Sequence, residues 1–281
     1  MNTTTHIRLI LLSVLALSTN QCLADQTSEA NLAYSMHNYT KAFSLYQELA
    51  KSGSANAEYF ISEMYRDGNG VSQDINEAVR WLRLSAIHGC TKAMASYGAV
   101  NADGKLIPQN LDEALFWIRK AAINGEPAAQ LNLGWAYMSD YLKLPPNYAL
   151  AMEWNLKAAN NGEGEAASNV GLLYENGWGV PISYPEAIKW YHKALDQEPT
   201  SWQSWYRLAG IYENGLGVEK DLVYAAELYS LVVLSGEEEF LSSANKRLLY
   251  VQDLLQLQKG DEIKYPQELP PRDGREDMEH G

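Results

Sequence analysis

Alanines and large apolar side chains recur along the chain at an almost constant interval. The alanines lie 36 to 38 residues apart, at Ala42, Ala78, Ala114, Ala151, Ala187 and Ala225. Three residues after each one comes a large apolar side chain, at Leu45, Trp81, Trp117, Trp154, Trp190 and Leu228. A spacing of three to four residues places side chains on one face of a helix. Each block is therefore predicted to be a helix with one apolar stripe.

Glycines mark the ends of these helices and of a second set. Eleven residues after five of the six alanines stands a glycine, at Gly53, Gly89, Gly125, Gly162 and Gly236, and the remaining block has Glu198 there. Between the blocks a second pattern, Tyr-x-x-Gly-x-Gly-Val, occurs at residues 65–71, 174–180 and 212–218. Because glycine readily adopts the positive φ that ends a helix, both patterns predict helix–turn boundaries.

Each repeat is thus predicted to contain two helices joined by a glycine turn. Small and apolar residues precede the turn at helical spacing, as in Ala129, Leu133, Gly134 and Tyr137. One such hairpin cannot bury its own apolar stripe, so neighbouring hairpins must stack. The sequence predicts an all-α fold, an α-solenoid of antiparallel helix pairs.

The combined pattern resembles the Sel1-like repeat, a relative of the tetratricopeptide repeat. Its motif is carried by Leu133-Gly134-x-x-Tyr137, by Tyr174-x-x-Gly177-x-Gly179-Val180, and by residues 113–125, Glu-Ala-x-x-Trp-x-x-Lys-Ala-Ala-x-x-Gly. The resemblance covers about residues 54–236. It implies a superhelix of helix pairs that binds other proteins.

The register of the motifs predicts the organisation of the chain. Five full repeats are expected at about 54–89, 90–125, 126–162, 163–199 and 200–236. Residues 25–53 are expected to form a tetratricopeptide-like capping pair and residues 237–257 a capping helix, because the ends of a stacked array need shielding. From 258 to 281 proline and charge predominate, which predicts a disordered acidic tail.

Two repeats depart from the pattern at their turns. The second has Gly104-Lys105-Leu106-Ile107 and lacks the second glycine. The third replaces the turn by residues 140–146 and is one residue longer, with two prolines that prevent an ordinary continuation of the helix. This loop is either a binding feature or an insertion tolerated at a surface turn.

Residues 1–24 have the pattern of a secretory signal peptide. They contain Arg8, no acidic residue, and an apolar run over 9–17, which is too short to cross a bilayer that needs about 20 residues. Small residues at Cys22 and Ala24 predict cleavage after Ala24, so the mature chain is expected to be periplasmic or secreted, without a transmembrane segment. The alternatives are a short buried helix and lipidation of Cys22, for which Gln21 is unfavourable.

The charge balance limits the choice of partner. With 22 basic and 35 acidic residues the net charge is −13, and it becomes −14 once the segment containing Arg8 is removed. This balance argues against binding to nucleic acid or to an anionic membrane. It favours a protein or peptide partner with a basic surface. The mature chain keeps only Cys90, which is expected to be a buried small hydrophobe.

Catalytic and cofactor signatures do not accompany the repeats. The Gly-x-Gly turns lack the third glycine and the βαβ setting of a nucleotide site, and the common nucleophile motifs are absent. The histidines at 37, 88 and 192 are far apart and are interpreted as structural or solvated. The tryptophans at 81, 117, 154 and 190 are predicted to lie in the core. We therefore expect no metal, no cofactor and no enzymatic activity.

The resemblance implies that the first helix of each pair lines a concave surface. The inward positions lie two before, two after and five after the motif leucine. They are Tyr59, Glu63, Arg66, Leu131, Trp135, Met138, Leu172, Glu175, Tyr206 and Glu213. A mixture of aromatic, Met and carboxylate side chains is typical of protein recognition.

The leading hypothesis for function is a non-enzymatic, exported adaptor that binds a protein or peptide in this groove. Some exported proteins with this repeat resemble immunity proteins, so neutralisation of a secreted lipase-type effector is an alternative. A hydrolase of cell-wall or β-lactam substrates is a further one, although the cysteine pair per repeat of the relatives linked to β-lactam hydrolysis is missing here. A bracing role in an envelope complex cannot be separated from the adaptor hypothesis.

Overall fold

The computed structural model describes residues 27–236 and 238–258, and within these ranges every regular element is a helix. The predicted signal peptide and most of the predicted tail lie outside the described residues. The chain divides into two units, residues 1–126 and 127–281. Each unit is a succession of packed helix pairs, which confirms the predicted all-α solenoid class.

Unit 1 contains six helices in the described residues. They are α1 (27–35), α2 (Tyr39–Lys51), α3 (Ala55–Asp67), α4 (Ile75–Ile87), α5 (Thr91–Asp103) and α6 (Leu111–Ile123). Helix α3 packs on α4 and α5 packs on α6, while α2·α3 and α4·α5 contacts join one pair to the next. The odd-numbered helices are the first helices of the pairs and the even-numbered ones are the second helices.

Unit 2 continues the same alternation with seven helices in its described part. They are α7 (Pro127–Ala136), α8 (Tyr148–Asn160), α9 (Gly164–Asn176), α10 (Tyr184–Gln197), α11 (Trp202–Asn214), α12 (Leu222–Ser235) and α13 (Glu238–Gln258). Helix α13 packs on α12 and so takes the position of a further first helix. Its Ala244 and Val251 are fully buried.

Every second helix begins at a residue whose side chain accepts a hydrogen bond from the first turn. These N-cap residues are Asn38, Asp74, Asn110, Asn147, Ser183 and Asp221. A cap of this kind satisfies an otherwise unpaired N–H and stabilises a helix by about 1 kcal/mol. The second helices therefore start where the local sequence provides an oxygen acceptor.

A single backbone hydrogen bond closes the turn inside each complete repeat. The N-cap N–H donates to a carbonyl near the end of the preceding helix, as from Asp74 to Tyr65 and from Ser183 to Tyr174. In the third repeat the same bond joins Asn147 to Tyr137 at 2.9 Å, although the turn is one residue longer. Lys143, at φ 51°, accommodates the extra residue. The insertion thus leaves the helix pairing unchanged.

The two glycines of the Gly-x-Gly turn have different tasks. The first caps the first helix in the left-handed conformation, as Gly177 does for α9. The second packs against the start of the preceding second helix: a Cβ on Gly179 would lie 2.9 Å from the Tyr148 carbonyl carbon, and one on Gly70 would overlap the Tyr39 backbone. The second glycine therefore allows one repeat to approach the repeat before it.

A third glycine position controls the distance between the two helices of a pair. A Cβ on Gly98 would lie 2.7 Å from Ile118 Cγ1, and one on Gly171 would lie 2.7 Å from the ring of Tyr191. Because protein interiors are close-packed, neither site has room for a methyl group without movement of its neighbour. The small residue of the Leu-Gly motif is thus required by the close packing of the pair.

Of the four tryptophans predicted to lie in the core, Trp117 is 5% exposed. Trp81 and Trp190 are half-buried and pack against core clusters, and Trp154 is half-buried. A cationic group lies over each ring: the Trp154 centroid is 4.1 Å from Lys157 Nζ, and the Trp190 centroid is 4.5 Å from Lys193 Nζ. Arg80 and Lys120 cover the first two rings at 4.9 Å. Each of these rings is therefore partly covered by a cation of its own helix. Cys90 is buried, as predicted.

Replacing the second turn glycine is expected to cost more than replacing a glycine of similar φ in open space. Gly162→Ala, at φ 97° with nothing near its Cβ position, should destabilise by about 1–2 kcal/mol through backbone strain alone. Gly179→Ala should lose a further 1–3 kcal/mol or so through overpacking against α8. Urea unfolding followed by circular dichroism measures both. Equal losses would show that the inter-repeat contact is not tight.

The glycine between paired helices gives a second matched comparison. Gly171→Ala gains about 1 kcal/mol in helix propensity but must displace the Tyr191 ring, so we expect a net destabilisation of about 1–2 kcal/mol. Gly210, also helical, has only Tyr229 Oη near its Cβ position, at 3.7 Å. Gly210→Ala should therefore stabilise by up to about 1 kcal/mol. Differential scanning calorimetry of the two variants should give shifts of opposite sign.

Candidate protein-binding surface

The residues predicted to line the concave surface lie on, or just after, first helices in both units. In unit 1 they belong to α3, and in unit 2 to α7, α9 and α11. Their exposure differs widely, so the structure separates accessible side chains from buried ones.

In unit 1, Arg66 is held between two carboxylates. Its Nη1 donates to Glu63 Oε1 at 2.7 Å, while Nε and Nη2 donate to Asp67 Oδ1 and Oδ2 at 2.8 and 3.0 Å. The hydrogen bond from Arg66 lowers the pKa of the Asp67 carboxyl. Burial raises the pKa of Glu63 despite the neighbouring guanidinium, and burial likewise raises that of the half-buried Tyr59 hydroxyl. The structure therefore brings the three predicted residues of α3 together.

In unit 2, α7 and α9 contact each other and present apolar side chains at equivalent positions. Trp135 on α7 is 37% exposed. Leu131, one turn earlier, and Leu172 on α9 are half-buried. Leu131 packs against a layer of buried alanines that includes Ala158 and Ala166. These residues form an accessible apolar face, which we call the α7–α9 face and define as Leu131, Trp135 and Leu172.

Two predicted groove residues are not accessible. Met138 is 4% exposed and Glu213 is 3% exposed, so the expectation that they line an open surface is wrong. The Sδ atom of Met138 accepts a hydrogen bond from Asn155 Nδ2 at 3.5 Å on the paired helix. At Met138 and Glu213 the position five after the motif leucine thus turns toward the second helix and is covered there, whereas Arg66 at the same position of the first repeat is exposed.

Glu175 occupies the same position in the next repeat and is joined to two other helices. The Tyr191 hydroxyl, on α10, donates to Glu175 Oε2 at 2.5 Å. Arg207 Nη1, on α11, lies 4.0 Å from Glu175 Oε1. Burial first and the Glu175 charge second raise the pKa of Tyr191 well above its usual value.

Glu213 repeats this arrangement one repeat later. The Tyr229 hydroxyl donates to Glu213 Oε2 at 2.9 Å, and Arg247 Nη2, on α13, lies 2.8 Å from the same oxygen. Burial again raises the pKa of Tyr229. Tyr206 packs edge-to-face on the Tyr229 ring, at 5.7 Å between centroids, so the structure brings these two predicted residues, Tyr206 and Glu213, into one cluster.

The sequence analysis missed the partners that complete these clusters. Tyr191 and Tyr229 both follow directly after the large apolar residue of the repeat, and Asn155 holds the equivalent position beside Met138. In unit 1 this position holds the apolar Leu82 and Ile118, and also Tyr46, whose hydroxyl donates to Asn31 Oδ1 at 2.8 Å. A polar group at this repeat position was therefore a readable signal. The arginines, which come from the following first helix, had no comparable signal.

The predicted carboxylates are consequently not free charges. Glu63, Glu175 and Glu213 lie beside Arg66, Arg207 and Arg247 respectively, at the distances given above. Glu175 and Glu213 each have an arginine of their own, so direct contact with a basic partner would have to compete with it, whereas Arg66 is shared between Glu63 and Asp67. The apolar α7–α9 face carries no such internal competitor.

Other candidate chemistry in the described residues is limited. Over residues 27–236 and 238–258, no three His, Cys, Asp or Glu side chains converge as metal ligands would. His88 Nδ1 lies 2.9 Å from both carboxylate oxygens of the buried Glu58, which ties the end of α4 to α3. In the same ranges, none of the helices combines the length and the apolar character needed to cross a membrane.

The chain matches a known repeat family over most of its length. The model of the Sel1 repeat matches six segments, residues 30–54, 55–90, 91–126, 127–163, 164–199 and 205–231. Together they cover more than half of the chain. None of the curated protein sequences compared with the chain matches it.

Solved structures give the same picture. A protective antigen of uropathogenic Escherichia coli strains, which displays an SLR fold, is 28% identical with a TM-score of 0.68 over 79% of this chain. This chain spans only 46% of that protein's length. A Sel1 repeat protein from Oxalobacter formigenes is 25% identical with a TM-score of 0.67, over 79% of this chain and 87% of its own.

A third solved structure is more distant. The immunity protein Pa5087 from Pseudomonas aeruginosa is 19% identical, with a TM-score of 0.46 over 73% of this chain and 81% of its own. A similarity at this level supports no conclusion about function.

The buried tyrosine of the Glu175 cluster should make stability fall in alkali. A raised folded-state pKa means that the neutral hydroxyl stabilises the fold fully below the unfolded pKa, near 10, and that this contribution is lost as the pH rises. Tyr191→Phe should destabilise by about 1–3 kcal/mol at pH 8, because Glu175 loses a donor. The Tyr191→Phe variant should also lose less of its free energy of unfolding than the wild type between pH 8 and 10.5, as measured by urea unfolding.

The matched control is Tyr148→Phe, which keeps the ring that stacks on Trp178 at 5.2 Å between centroids. A surface change of this size should alter the free energy of unfolding by less than about 0.5 kcal/mol. If Tyr148→Phe and Tyr191→Phe had the same effect at both pH values, the buried Glu175–Tyr191 bond would contribute nothing.

Proposed function

Because the chain belongs to the Sel1 repeat family, we propose that it is a non-enzymatic adaptor whose first helices bind a protein or peptide partner. Stacked helix pairs offer an extended surface without needing a catalytic pocket. The buried polar groups of the Glu175 and Glu213 clusters are satisfied internally, and this supports a structural interpretation of them.

The observation that carries the proposal is the exposure of Trp135 on the α7–α9 face. A tryptophan that is 37% exposed beside two half-buried leucines leaves apolar area in water that a partner could cover. Tryptophan is among the residues that most often dominate the free energy of protein association. No aromatic side chain stands at the equivalent positions of the other repeats of unit 2, Leu172 and Gly210.

The charge of the chain supports a partner with a basic surface. The net charge of −13 attracts a basic protein through its summed field. Since the carboxylates nearest the predicted groove have internal arginine partners, this attraction would act mainly on the association rate and on salt sensitivity. The affinity would come from the apolar contact.

The proposed site of action is the periplasm or the cell exterior. This part of the proposal is supported by the sequence alone, through the apolar run and the small residues before the predicted cleavage after Ala24. Nothing in the geometry favours the neutralisation of a lipase-type effector over other binding roles. The identity of the captured partner decides between them.

Affinity capture from the organism's own periplasmic extract tests the proposed surface. Trp135→Ala should weaken capture of the main partner at least about tenfold, as expected for a central aromatic anchor. Phe116→Ala is the matched control, because Phe116 is an exposed aromatic side chain on the second helix α6. Quantitative mass spectrometry of the eluates measures both.

The two variants also define what would contradict the proposal. Unchanged capture by Trp135→Ala, with melting behaviour like that of the wild type, would remove the α7–α9 face from the binding surface. Equal losses in Trp135→Ala and Phe116→Ala would indicate non-specific adhesion through exposed aromatic side chains.

A further inference from the structure

Five side chains of unit 1 form one continuous patch across two neighbouring first helices. They are Tyr34 on α1 and Tyr59, Glu63, Arg66 and Asp67 on α3. The charges of Asp67 and Glu63 both act on the Tyr34 hydroxyl, and those of Glu63 and Arg66 act on the Tyr59 hydroxyl. We call this set the tyrosine–carboxylate patch.

The guanidinium of the patch is held by its two neighbouring carboxylates. All three guanidinium nitrogens of Arg66 donate to a carboxylate, two to Asp67 and one to Glu63. Two carboxylates around one guanidinium leave one net negative charge on the patch.

The two tyrosines of the patch belong to a larger cluster of aromatic rings. The ring of Tyr34 lies 5.3 Å from that of Tyr39 and 5.9 Å from that of Phe60, and the ring of Tyr59 lies 6.0 Å from Phe60, between centroids. Tyr46 stacks beneath on Phe60 at 4.8 Å. Rings beside a carboxylate provide both apolar area for an alkyl chain and π-faces for a cation.

The Glu63 carboxylate remains under-stabilised in this setting. Its side chain is 21% exposed, so it is neither solvated like a surface group nor closed off from a partner. Burial raises the pKa of Glu63 even though Arg66 is bonded to it. A second cation arriving from outside would offset that loss of hydration.

We propose that the tyrosine–carboxylate patch binds a cationic side chain, lysine or arginine, carried by the protein partner. The ammonium or guanidinium group pairs with Glu63, and the alkyl stem packs beside the rings of Tyr34 and Tyr59. This inference rests on the proposed adaptor function and names the chemistry of its partner.

Titration with a defined peptide tests the inference on the full-length mature chain. The probe is a short peptide of alternating lysine and glycine, and the same peptide with glutamine in place of lysine is the neutral comparison. In two-dimensional NMR at low salt, the lysine peptide should shift the signals of Tyr34, Tyr59 and Glu63. The glutamine peptide should not shift them.

Two variants with the same change of charge separate a local site from a general field. Glu63→Gln should raise the dissociation constant of the lysine peptide about five- to tenfold, as measured by calorimetry. Glu77→Gln is the matched control, because Glu77 also pairs with an arginine three residues on, Arg80, at 2.7 Å, but on the second helix α4. It should leave the dissociation constant within about twofold of the wild-type value.

The inference is overturned if Glu63→Gln and Glu77→Gln weaken binding equally, or if the shifted signals lie elsewhere. Asp67→Asn is a second variant and should also weaken binding if the patch is the site. If the peptide does not bind while Trp135→Ala still abolishes capture of the native partner, the cationic contact fails and the adaptor function stands. If capture is insensitive to Trp135→Ala but the peptide binds at Glu63, the cationic contact stands and the α7–α9 face is not part of the binding surface.

Discussion

Where the Gly-x-Gly turn is present, stacking depends on the close contact between its second glycine and the preceding second helix. Gly70 lies against Tyr39 in unit 1, and Gly179 lies against Tyr148 in unit 2. A helix pair of this length cannot bury its apolar stripe alone, so the spacing between pairs decides whether the stripe is covered. Any side chain at these glycines would hold the repeats apart. The second glycine of the motif is therefore needed for close packing between repeats.

Unit 2 adds a second kind of contact between its repeats. Glu175 with Tyr191, and Glu213 with Tyr229, are each approached by an arginine of the following first helix. Glu213 and Arg247 are almost fully buried, whereas Glu175 and Arg207 are partly exposed. A buried ion pair adds little net stability, but a buried charge that loses its partner is strongly destabilising. Loss of Arg247 from its place beside Glu213 would leave such a charge unpaired. The Glu213 cluster thus adds a polar constraint on stacking to the close approach that glycine and alanine provide.

The same arrangement determines which side chains are left for a partner. The carboxylates that a sequence reading assigns to the groove are compensated by arginines, and Met138 and Glu213 are covered by neighbouring helices. Of the predicted groove residues in unit 2, the apolar Trp135 stays accessible. In unit 1, the accessible patch around Glu63 is aromatic and carries an excess negative charge. This distribution supports the proposal that recognition relies on aromatic anchors, with charge as a secondary selector.

The sequence by itself determined the helix pairs, the ends of most helices and the class of fold. These features depend on local properties: the period of the apolar positions, the positive φ of glycine, and the capping oxygens before each second helix. The family motif also placed the candidate residues on, or at the end of, first helices. Tertiary structure alone decided which of them are exposed. The Tyr191 and Arg207 side chains that engage Glu175 come from other helices, and the cations over the tryptophans allow half-buried rings where a core was expected. Burial and ion pairing depend on what the neighbouring repeats bring into contact, and a periodic pattern does not encode that.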